Sequence, residues 1–145
     1  MSHHLVIRVV TKLLIPFILL FGLYVQFHGD FGPGGGFQAG VIFASAFILY
    51  ALVFGLDNAR RVVPDTAIRC GMAMGLLIYG FTGVAALLLG GNYLDYSALR
   101  PDPVGGQHLG IFIIEFGVGL SVASVMVAIF FAFAGRGHKL DRMED

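Results

Sequence analysis

Glu115 is the one acidic residue inside a long apolar run, residues 109–134 of the 145-residue chain. A carboxyl at membrane depth is costly and usually faces a cavity, a partner or a pathway. It can hold a proton or, once ionised, a cation such as Na⁺. The structural alternative is a Glu that pairs with a cation of a neighbouring subunit or reaches up to water. Glu115 lies about six residues, roughly 9 Å, inside the start of its run. His28 and His108 flank the same end and bring proton-exchange chemistry, but their spacing makes no metal-ligand set. The second feature is backbone rather than side chain: "FHGDFGPGGGFQAGVIF", residues 27–43. Pro33 fixes φ and removes a donor, while Gly34, Gly35 and Gly36 permit positive φ and close backbone approach. A helix starts immediately afterwards, so its free N–H groups face the loop and can hold a carboxylate or a carbonyl. No Gly-Lys-Ser/Thr follows, so this is not a nucleotide-phosphate loop. Two readings stand: a slim turn joining two helices, or a docking or broken-helix element at a subunit interface or ion path. Phe37 follows the glycines, and Gly36, Gly40 and Ala44 carry small residues into the helix at i, i+4 and i+8. "GMAMG", residues 71–75, repeats that spacing, which lets another helix come close. No nucleophile–base pair, metal cluster or cofactor motif is present, and the expectation is a non-enzymatic protein.

The elements that must position these groups follow from composition. Hydrophobic residues make up 57% of the chain and charged ones only 12%, against about 25% in a soluble domain. Mean hydropathy is +0.85. A single cysteine, Cys70, excludes an internal disulfide, and a formal net charge of zero gives no nucleic-acid footprint. The N-terminus has a basic start without a small-residue cleavage signature, which reads as the lead-in to a retained helix. A bilayer core needs about 20 apolar residues per helix. Four stretches qualify, about 10–28, 37–56, 70–91 and 109–134. The fold expectation is an all-α polytopic membrane protein: a single domain over 1–145 with four transmembrane helices. Ser121, Ser124, Thr82, Gln26 and Gln38 are expected to hydrogen-bond between helices, with Gly117, Ser121 and Ser124 offering small or hydroxyl neighbours to Glu115. Arg8, Lys12, Arg60, Arg61, Arg69, Arg136, Lys139 and Arg142 fall on one side of such a protein, and Arg100 alone on the other. That asymmetry puts both termini in the cytoplasm.

"GPGGGFQAG" after a first span, with the acid of "IEFGVGL" in the last, resembles the MnhB-type subunit of the Mrp (Mnh) multisubunit Na⁺/H⁺ antiporters. The similarity runs over nearly the whole chain. It implies a small multi-pass subunit of the bacterial inner membrane, in a complex that exports Na⁺ against H⁺ uptake. The large subunits would carry the main proton routes. This one would serve assembly and part of the ion path, with other membrane subunits and the bilayer as partners and no cofactor. The matched positions are Pro33, Gly34, Gly35, Gly36, Phe37 and Glu115. Asp30 stands where family members often carry a His, so a role resting on that His does not transfer. A related hydrogenase-like ion-translocating complex, and a self-sufficient small four-helix transporter, are the alternative settings.

The charge asymmetry predicts a labelling pattern. In a Cys70→Ser background, a cysteine at 102 should react with an impermeant reagent from outside the cell and one at 60 only from inside. The reverse pattern would reject the orientation.

Overall fold

The computed structural model describes residues 2–29 and 34–144, with side chains over 5–29 and 34–136. Five α-helices carry the chain: α1 (Ser2–His28), α2 (Gly36–Phe54), α3 (Leu56–Val62), α4 (Asp65–Leu88) and α5 (Pro103–Glu144). A 3-10 turn, Tyr96–Leu99, sits in the loop before α5. No strand occurs among the described residues, and four helices are long and apolar enough to cross a membrane: Leu5–His28, Gly36–Phe54, Asp65–Leu88 and Pro103–Arg136. The all-α, four-span expectation holds.

Helix ends differ from the apolar runs because capping residues, not hydropathy, set them. α2 stops at Phe54 because Gly55 takes φ +92°. Its amide still donates to the Ala51 carbonyl before the chain turns into α3. α4 starts five residues before the expected 70. Pro64 precedes it with extended dihedrals, the position a proline favours at a helix start. α5 starts at Pro103, a favoured first helical position. The Asp102 carboxylate accepts from the Gly105 amide at 3.0 Å and satisfies one free donor. At about 1.5 Å per residue the 42 residues of α5 run about 63 Å.

α5 is the central helix, flanked by α2 and α4, with α1 packed on the outer side of α2. The contacts are made by small residues. A Cβ added at Gly40 would lie 2.6 Å from the Gly119 carbonyl oxygen, and one at Gly117 would lie 3.0 Å from the Gly75 carbonyl oxygen. Gly71 and Gly75 press against the hydroxyls of Ser124 and Ser121. Both small-residue stripes therefore meet α5, one on each side. At the far end Ala44, Ala51, Ala59, Ile68, Val127 and Phe131 form the buried cluster. In the loop before α5, the Tyr93 ring covers Gly83 and Tyr96 covers Gly110.

Gly75→Ala should lower stability by about 1–3 kcal/mol through overpacking. Gly80→Ala, where an added Cβ meets open space, should be neutral or slightly stabilising. Thermal unfolding in detergent checks the pair, and equal melting temperatures would deny the close α4–α5 contact.

Candidate functional site

Glu115 lies on α5 about 18 Å along the helix from Pro103 and is half-buried. Its carboxylate rests against the backbone of the α1–α2 connection. A Cβ at Gly29 would stand 2.6 and 2.9 Å from the two carboxylate oxygens, and one at Gly35 would stand 3.0 Å from Oε1. The carboxylate thus fills space that side chains at 29 and 35 would need. The Glu115 carbonyl oxygen closes onto Gly36, leaving no room for a Cβ there. The glycine turn and the membrane acid, separate features in the sequence, form one site.

Backbone geometry explains the glycines. Gly35 precedes α2 with φ +125° and ψ 177°, a conformation that side chains resist. Its amide donates to the Val25 carbonyl at 3.3 Å and its carbonyl accepts from the Ala39 amide at 3.0 Å, so the turn is stitched to both helices. The carboxylate lies beside the first turn of α2, the end whose unpaired N–H groups carry partial positive charge. One turn deeper, a Cβ at Gly119 would stand 2.8 Å from Gln26 Oε1 and 3.1 Å from the Gly36 carbonyl oxygen. Residues of α1, α2 and α5 meet there. Gln26 is 6% exposed, and its Nε2 has no hydrogen-bond partner among the described residues. An orphaned buried donor costs about 1–3 kcal/mol, so this junction holds strain as well as charge.

The other predicted residues divide. Gly34 is half-buried under the Val25 carbonyl, and Gly35, Gly36 and Gly40 are buried in the junction. Phe37 is 64% exposed and turns its ring out of it. Pro33 and Asp30 lie outside the described residues. His28 stacks on Tyr24 at 5.2 Å. His108 is exposed on α5, two turns before Glu115 and on the same face.

Two expectations need correction. Gly117, Ser121 and Ser124 do not surround Glu115. Residue 117 is about 200° around the helix from 115, and all three face α4. Nor do Thr82 and Ser124 bond between helices. Thr82 Oγ1 donates to the Ile78 carbonyl at 2.7 Å and Ser124 Oγ to the Leu120 carbonyl at 2.8 Å, since the nearest acceptor in an apolar setting is the preceding turn of their own helix. Sequence reasoning missed Gly29 and Gly119. Gly119 is four residues after Glu115 and therefore on its face, a signal that was available; Gly29 becomes visible only once α1 and α5 are brought together.

Comparison with known proteins gives a consistent result. A family model described as a domain related to the MnhB subunit of Na⁺/H⁺ antiporter matches residues 6–128. Proteins designated antiporter subunit mnhB2 from Staphylococcus aureus strains Newman, COL and USA300 are 37% identical over 137 residues. The match covers 92% of this chain and 96% of each relative.

Gly35→Val puts a β-branched residue at positive φ and a side chain against the Glu115 carboxylate. It should reduce recovery of the full-size assembly on native gels well below wild type, while membrane insertion of the chain itself stays near normal. Full-size assemblies at wild-type yield would make the turn a mere linker.

Proposed function

Because the chain belongs to the family of the MnhB subunit of Na⁺/H⁺ antiporters, we propose that Glu115 is its proton- or cation-exchanging group, seated on the glycine turn at the border with a larger subunit. The protein is a multi-pass subunit of a multisubunit Na⁺/H⁺ antiporter of the bacterial cell membrane. Na⁺ and H⁺ are the ions of this reading, and the neighbours are other membrane subunits of the complex.

The observation that carries the reading is the seat of the Glu115 carboxylate, held by glycine backbone rather than by bulky side chains. Bare backbone lets a small ion or a proton donor approach where a side chain would block it. The adjacent first turn of α2 stabilises negative charge, and the surrounding hydrocarbon stabilises the neutral acid. A group balanced between those two influences exchanges a proton for a cation at modest cost. Pro33, Gly34, Gly35, Gly36 and Gly40 act here as the frame, and the exposed Phe37 as a contact for the neighbouring subunit. Orientation follows the arginines. Lys12 Nζ lies 5.5 Å from the Phe54 ring and the Arg60 guanidinium 5.7 Å from the Phe131 ring, both at the end opposite Glu115. That end is assigned to the cytoplasm, which places Glu115 toward the outer face.

Glu115→Gln keeps the shape but cannot titrate, and Glu115→Asp keeps the charge on a shorter stem. In everted membrane vesicles the Gln variant should assemble and lose Na⁺/H⁺ exchange by an order of magnitude or more. The Asp variant should keep part of the rate with a displaced pH optimum. A Gln variant that assembles and exchanges at the normal rate and pH profile would make Glu115 structural.

A further inference from the structure

We propose that the arginine-rich end of the chain holds one anionic phospholipid, with its phosphate on Arg60 and Arg69 and its first acyl carbons in a slot between α4 and α5. The slot has a volume of about 210 Å³. Arg60 and Arg69 line it together with Ile68, Met72, Ala128 and Ala132. The arginines stand near the start of α4 and the end of the membrane-crossing part of α5, where hydrocarbon gives way to headgroups. Ile68 and Met72 continue the wall for one further helical turn toward the bilayer centre.

Both arginines are available in different ways. Arg60 is held in place by the Phe131 ring beneath it, at 5.7 Å, and by the Phe131 carbonyl, to which Nη2 donates at 3.5 Å. Its partner Asp65 is 3.7 Å away with both side chains about half exposed, at 42% and 55%, so the pair is weak and solvated. Arg69 is exposed and forms no ion pair among the described residues. Two positive charges against one negative leave the slot's mouth positive.

The occupant follows from combining charge with shape. A guanidinium pair recognises a phosphodiester through paired N–H donors. A carboxylate from a protein partner would satisfy the arginines and leave the alkyl-walled slot unfilled. A zwitterionic lipid would fill the slot but bring its own cation to a positive mouth. An anionic phospholipid satisfies both parts, and basic pockets between membrane helices are where such headgroups bind.

The test uses the intact antiporter complex purified in mild detergent. Native mass spectrometry should show a bound anionic phospholipid in wild type and in Arg61→Gln, whose side chain does not line the slot. The mass increment of that lipid should disappear in Arg60→Gln/Arg69→Gln. If the double variant does not assemble, Arg69→Gln alone is read, with the same loss expected. A benzophenone side chain at Met72 should cross-link to phospholipid. After delipidation, phosphatidylglycerol vesicles should raise the melting temperature, while phosphatidylcholine vesicles with inorganic phosphate should not. The proposal is overturned by equal lipid retention in all variants, by a Met72 adduct to another protein chain or a second copy, or by equal stabilisation in the two vesicle conditions.

Discussion

Lipid tails are as apolar as leucine, so helices inside a bilayer gain little by hiding side chains from one another. They gain by bringing backbones close, where many weak contacts add up. That constraint organises this chain. α5 meets α2 through Gly40 and Gly119 and meets α4 through Gly75 and Gly117, and no large side chain is fully buried among the described residues. The buried cluster at the other end is mostly alanine, closed by Ile68, Val127 and Phe131. Bulky apolar residues such as Phe81, Leu88 and Phe133 point outward, toward lipid or neighbouring subunits.

The same close packing accounts for the placement of the acid. A carboxylate in a seam of larger residues would be boxed in by hydrocarbon. Here it lies against Gly29 and Gly35, so its nearest neighbours are peptide groups. Peptide dipoles are the only polar material that a helix–turn–helix can offer without a second charged side chain. Opposite Glu115, the α4 side of α5 carries hydroxyls, and that of Ser124 bonds back to its own helix. One central helix thus has a polar-tolerant face toward α1 and α2 and a purely packing face toward α4.

Much of the fold was legible because hydropathy reports directly on the solvent. Four apolar runs in a chain with 12% charge admit few other readings. Their ends were less legible, because Pro64, Gly55 and the Asp102 cap outweigh apolarity at the last turn. Short elements such as α3 and the 3-10 turn at Tyr96–Leu99 bury too little to leave a periodic signal. Of the site, Glu115 and the glycine turn stood out separately, each by an unusual residue type in its surroundings. Their contact did not, since it joins positions about 80 residues apart in chain order, and one sequence carries no pairing information over that separation. Assigning Ser121 and Ser124 to the Glu115 side was an avoidable error: the 3.6-residue turn alone puts Gly117 and Ser121 on other faces from residue 115.

The clasp of α5 from both sides has a mechanical consequence. Sliding α5 by one residue, about 1.5 Å, would also rotate its contact faces by about 100°. Val118 or Leu120 would then meet α2 in place of Gly119, and the facing carbonyls leave no gap for either. The helix is therefore locked against screw motion and serves as a stator. Whatever opens and closes access to Glu115 must move past this chain, so the travelling part of the cycle belongs to a neighbour or to the ion itself.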